Sequence, residues 1–103
     1  MSLDIILSNE VFTQNITHNL GKMAGEAGLY EVLWRPDEQG YTRAWQIIEP
    51  LSKGLANLIE NRAHLETLNP ANGWGNYDNL LQATSQYLAS CIQNPEARVD
   101  VSR

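Results

Sequence analysis

Two short segments gather tryptophan, arginine and carboxamide side chains: Trp34-Arg35-Pro36 and Asn72-Gly73-Trp74-Gly75. An indole joins a broad apolar face to one N–H donor, and a guanidinium stacks on such a face or forks onto a carboxylate or phosphate. Both tryptophans fall at the ends of predicted elements, outside any helical apolar stripe. Together with Thr17, His18 and Asn19 they predict a pocket or patch for a small polar ligand or a protein partner's loop. The plainer alternative is that both indoles plug the ends of a core with little volume to spare.

His18 stands between Thr17 and Asn19 at a predicted helix start, a position from which it can act as a general base or help hold an anion. The alternative is a polar residue in a capping turn. His64 follows Arg62-Ala63 near a predicted helix end, where a cation is favoured by the helix dipole. Neither histidine has cysteines or acids at ligand spacing around it, so no metal site is expected. Cys91 lies beside Leu88 and Ile92 on an apolar stripe, the opposite of the electropositive, accessible setting a nucleophilic thiolate needs. It reads as a core residue. The glycines form neither a phosphate-binding loop nor a dinucleotide fingerprint, no serine sits in a nucleophile elbow, and no cofactor is expected. Asn15-Ile16-Thr17 has the spacing of a glycosylation acceptor, but without a basic and apolar leader it reads as a chance match.

The elements that must position these residues follow from hydrophobic period. Leu3-Asp4-Ile5-Ile6-Leu7 reads as a strand, and Val11–Thr17 as a second strand or an extended lead-in. Thr17 is a plausible N-cap for a helix carrying Leu20, Met23, Ala24 and Ala27 on one face and ended by Gly28. Gly21 and Gly25 cost that helix about 1 kcal/mol each relative to Ala, so packing or a close backbone contact must offset them. Leu29–Trp34 makes one or two helical turns stopped at Arg35-Pro36. Thr42 is the expected N-cap of a long stripe, Trp45, Ile48, Leu51, Leu55, Leu58 and Ile59, that keeps its phase across Pro50 and so predicts a kink or restart there. Asn69–Asn76 is a loop. Tyr77, Leu80, Leu81, Thr84, Tyr87, Leu88, Cys91 and Ile92 form the last amphipathic helix, and Ala97–Val101 alternates as a closing strand. The expected fold is a single α+β domain over residues 1–103, about four helices packed on a small sheet formed by the N- and C-terminal strands.

Composition narrows the function classes. The 103 residues are 43 % hydrophobic and 18 % charged, enough apolar surface to exclude disorder along the whole chain. Seven Lys and Arg against twelve Asp and Glu give a net charge of −5, with the cations scattered. That argues against a nucleic-acid partner, which needs clustered cations to displace phosphate counterions. It also argues against a membrane-surface helix. No apolar run nears the roughly 20 residues needed to cross a bilayer. A single cysteine and the lack of a leader fit a cytoplasmic setting.

The combination Ile16-Thr17-His18-Asn19-Leu20, Leu33-Trp34-Arg35-Pro36, Asn72-Gly73-Trp74-Gly75 and Val101-Ser102-Arg103 resembles a family of small bacterial and bacteriophage proteins without an assigned activity. The resemblance covers most of the chain after Asn15. It implies a stand-alone protein of this length and marks the two tryptophan segments and the Thr17–Asn19 turn, but it carries over no catalytic residue.

The expected function is a non-enzymatic ligand- or protein-binding domain using Thr17, His18, Asn19, Trp34, Arg35, Asn72 and Trp74. Two alternatives stand beside it: a phage-type inhibitor or oligomeric assembly component, and a small His18-centred hydrolase or transferase.

Overall fold

The computed structural model describes residues 1–103. Alternation along Ser2–Leu7 (β1) buries Leu3, Ile5 and Leu7 and leaves Asp4 exposed between them, the period of a strand covered on one face. Phe12–Thr17, which the sequence allows as strand or lead-in, is a strand (β2). It pairs antiparallel with β1, Ser2 opposite Thr17 and Leu7 opposite Phe12. Val99–Ser102 (β3) takes the other edge of β1, again antiparallel, so the sheet order is β2-β1-β3. The two chain ends therefore meet in one sheet, and the N-terminal hairpin contributes two of its three strands.

Five helices follow, one more than the hydrophobic pattern predicts: Gly21–Glu26 (α1), Tyr30–Trp34 (α2), Ala44–Glu60 (α3), Arg62–Glu66 (α4) and Tyr77–Gln93 (α5). The extra one arises at Asn61, whose backbone (φ −110°, ψ 29°) leaves the helical region and separates α4 from α3. Pro50 neither breaks nor restarts α3, which runs through it. Proline has no N–H to give the Gln46 carbonyl, and the burial of Ile47, Leu51 and Leu58 offsets that loss.

The α3 start differs from the expected Thr42 cap. The Gln46 side-chain oxygen accepts from the backbone N–H of Thr42 at 2.7 Å and of Arg43 at 2.9 Å. The cap is thus supplied from inside the helix, and Thr42 only adds its hydroxyl as a donor to the same oxygen at 3.2 Å.

Gly28 does end α1 in the left-handed region, at φ 77°. The close contact anticipated at Gly21 and Gly25 lies elsewhere. A Cβ at Gly25 would meet nothing within 4 Å, and one at Gly21 would make ordinary contact with Tyr30 at 3.8 Å. At Gly54, in the middle of α3, a Cβ would stand 2.2 Å from Leu29 Cδ2. That glycine is the notch into which the residue before α2 packs.

Helices α3 and α5 form the main helical pair, and α5 lies on β2. Phe12 of β2 stacks on Tyr87 of α5, ring centroids 5.6 Å apart. Cys91, one turn further on, is wholly buried, and burial pushes its thiol up to about 12. It is inert packing, as a neutral thiol is not a nucleophile at neutral pH. All helices gather on the face of the sheet that carries Leu3, Ile5 and Leu7. The opposite face, with Asp4, Thr13, Asn15, Asp100 and Ser102 exposed, stays open to solvent. No helix is long and apolar enough to cross a membrane.

Candidate functional site

The long connection between α4 and α5 is built by asparagine and glycine acting locally. Asn72 Oδ1 accepts from the backbone N–H of Trp74 at 2.9 Å, and Gly73 turns with φ 76°, the side-chain-assisted turn that asparagine favours. Asn69 Oδ1 accepts from the N–H of Tyr77 at 2.7 Å. Asn76 caps α5 by accepting from Asn79 N–H at 3.0 Å, while the Asn79 side chain returns the bond to Asn76 N–H at 2.9 Å. Two orphan donors of the first turn are thereby satisfied reciprocally. The Tyr77 hydroxyl, donating to the Leu58 carbonyl, ties this helix start to the end of α3.

Gly75 docks that loop on the rest of the molecule. At φ 90° it adopts a backbone that L-residues avoid, and a Cβ there would come within 2.7 Å of Thr17 Cγ2 and 3.2 Å of Leu20. The loop therefore lies directly against the turn that follows β2. Thr17 organises that turn: its hydroxyl oxygen accepts from Asn19 N–H at 3.3 Å and from Asn19 Nδ2 at 3.2 Å.

Between the loop and the open sheet face lies a recess of about 430 Å³. Thr17 and Asn19 form one wall and Asn72 and Trp74 another, with Asn15, Ser2 and Met1 along the strands. Such a volume falls within the roughly 300–1,000 Å³ of small-molecule sites. Trp74 is 68 % exposed, an indole held at the rim with no partner of its own. Asn15 reaches along the sheet and donates through Nδ2 to Ser2 Oγ and to Asp4 Oδ1, both at 2.7 Å. Its oxygen stays available as an acceptor. No acid, base or thiol side chain lines the recess.

Of the seven residues expected from sequence, the fold brings four to this place: Thr17, Asn19, Asn72 and Trp74. It sends the other three elsewhere. His18 turns to the opposite side of the 17–19 turn, where its Nδ1 accepts from Trp34 Nε1 at 3.0 Å. That bond occupies the Nδ1 lone pair and leaves the neutral ring's proton on Nε2, so the imidazole has no free lone pair for base chemistry. Trp34 is 2 % exposed, stacked on Tyr30 with centroids 5.5 Å apart. Its indole is core and offers a ligand nothing. Arg35 pairs with Glu38 at 3.0 Å beside α2, and its guanidinium is held on its charged side by Tyr30 and Glu38. The turn 17–19 thus works as a partition, with Trp74 on one side and Trp34 on the other.

Several residues that build the two sides escaped sequence reasoning. Ser2, Asn15 and Asp4 are outward positions of paired strands, visible only once the β1–β2 register is fixed. Arg103 is the other. Its guanidinium donates to the Trp34 carbonyl at 2.9 Å and to both Asp37 oxygens, at 2.7 and 3.3 Å. That grip satisfies a carbonyl at the end of α2 and holds the Asp37 carboxyl below its usual range. No local pattern announces a contact between the last residue and the middle of the chain.

Comparison with protein-family models, with curated proteins and with solved structures finds no match to this chain.

Proposed function

We propose that the protein is a binding domain that holds a small, uncharged polar ligand in the recess bounded by Trp74 and Asn72 on one side and Thr17, Asn19 and Asn15 on the other. One observation carries this reading: a large, unpartnered indole faces a wall of carboxamides and hydroxyls across a cavity of ligand size. A tryptophan left this exposed next to organised polar groups supplies apolar contact, while the amides and hydroxyls fix orientation. The absence of acid, base and thiol side chains from the lining favours recognition over catalysis. A His18-centred reaction finds no support, because the Trp34 N–H occupies the lone pair it would need.

The test is amide and indole NMR of the labelled protein against a library of neutral polar fragments. Binding compounds should shift the Trp74 indole N–H and the Asn72 and Asn15 side-chain amides, and Trp74→Ala should remove the response with the fold intact. Fragments that bind equally to Trp74→Ala, or none that touches these signals, would end the reading.

A second reading, an assembly component or inhibitor acting through an exposed face, draws on Trp45, Ile59 and Ile92, apolar side chains left exposed on α3 and α5. Isolated exposed apolar residues are common on soluble surfaces, whereas the recess joins an indole to several convergent polar groups. The recess is therefore preferred.

A further inference from the structure

We infer that the ligand is a neutral oligosaccharide, lying across the open sheet face from Trp74, past Asn15, to Asp4 and Ser102. This inference rests on the recess reading above and names the class of molecule that reading leaves open.

A second recess of about 350 Å³ adjoins the first, lined by Asp4, Thr13, Gln14 and Ser102 with Ile5 and Ile6. Asn15 lines both. The two form one track along the outward positions of the three strands. An extended ligand fits such a track better than a compact one.

The lining chemistry selects among extended ligands. No Lys, Arg or His side chain lines either recess, and the one cationic group among the lining residues, the Met1 α-ammonium, is offset by the Asp4 carboxylate, so a polyanionic chain, nucleic acid included, finds no row of counter-charges. What the track presents is alternation. Asn15 spends both amide hydrogens on Ser2 and Asp4 and keeps its oxygen free. Asn72 spends its oxygen on Trp74 N–H and keeps its NH₂. Asp4 has a second carboxylate oxygen, and Ser2, Thr13 and Ser102 have rotatable hydroxyls.

Vicinal hydroxyl groups, each both donor and acceptor, match interleaved donors and acceptors without leaving either unpaired. The Asp4 carboxylate accepts from such hydroxyls by charge-assisted bonds. A sugar ring also has an apolar C–H face, the surface that an exposed, rigid indole at the rim is suited to cover.

The experiment is calorimetric titration of the full chain with maltohexaose, cellohexaose and chitohexaose, each alongside its disaccharide, backed by an array of neutral glycans. At least one series should bind, with the hexamer tighter than the disaccharide because it reaches the second recess. Trp74→Ala should weaken the hexamer by about tenfold or more, as loss of an aromatic anchor does. Asp4→Asn should weaken the hexamer more than the disaccharide, and Trp45→Ala should leave both unchanged. No binding to any neutral glycan, or equal affinity for long and short members, would overturn the inference. A peptide-display selection run in parallel separates the two levels. Peptides captured only when Trp74 is present would keep the recess as a binding site and remove the saccharide, while failure of both arms would remove both.

Discussion

Trp34 and Trp74 enter the fold with the same sequence credentials and leave it with opposite roles. Each ends or follows a short element and neighbours glycine, proline or arginine. Trp34 is gripped on every side: Tyr30 stacks on the ring, His18 accepts its N–H, and Arg103 takes its carbonyl. Trp74 is gripped only through its backbone, by Asn72, and its ring stands in solvent. What separates them is the supply of partners from distant chain. Two remote residues, His18 and Arg103, converge on Trp34 beside the Tyr30 ring one turn back in the same helix, whereas the loop around Trp74 is organised almost wholly by its own asparagines and glycines. The enclosed ring belongs to the core, and the displayed ring is the one free to make the contact proposed above.

The largest expected effect breaks this contrast at its buried end. Trp34→Ala should cost about 3–5 kcal/mol, the range for emptying a core aromatic site. Trp74→Ala should change stability by no more than about 0.5 kcal/mol, as for exposed positions generally. Chemical denaturation of both variants measures the difference. Similar losses at the two positions would mean that Trp74 is also structural.

A smaller effect sharpens the role of the partition. His18→Phe keeps a ring but removes the acceptor, leaving the buried Trp34 N–H unpaired at a cost of about 1–3 kcal/mol. Trp34→Phe in the same background should recover part of that loss, which a double-mutant cycle reads directly. Purely additive losses would show that the bond contributes nothing.

The smallest effect lies at the chain end. Hydrogen bonding from Arg103, the main cause, holds the Asp37 carboxyl below its usual range. A group depressed in the folded state stabilises it above the unfolded value, near about 3.9 for Asp, and loses that contribution as pH falls through the folded value. Acidification below about pH 4 should therefore release the Arg103 grip on Asp37 before the core opens. A carboxyl carbon NMR titration should show Asp37 protonating at lower pH than in Arg103→Ala. Identical titrations in the two proteins would remove the clamp from the account.

Much of the fold was legible locally. Alternation in Leu3–Leu7, the stripe of α5 and the punctuation of Asn69–Asn76 each follow from short-range spacing and match an observed element, and the alternation of Ala97–Val101 finds the closing strand, which begins two residues later at Val99. What local spacing left open or missed shares a cause. β2 has a mixed outward row, Thr13, Asn15 and Thr17, that reads as strand or extended lead-in until β1 pairs with it. The break at Asn61 and the run through Pro50 depend on what the helix buries, not on propensity. Gly54 draws no notice in a helical stripe, and its use appears only when Leu29 arrives 2.2 Å from where a Cβ would be.

The site divides the same way. Thr17, Asn19, Asn72 and Trp74 were legible because turns display such residues by local chemistry. Asn15, Ser2 and Asp4 were hidden because strand alternation assigns a face only after register is set.

The amino-acid order alone determined that this chain forms strands at its ends and amphipathic helices between, since those periods are properties of a few neighbouring residues. Tertiary structure alone decided which tryptophan would be enclosed and which displayed. Enclosure needs a hydrogen-bond acceptor for the indole and a donor for the carbonyl at the helix end, and those came from His18 and Arg103, which no short stretch of sequence joins to Trp34.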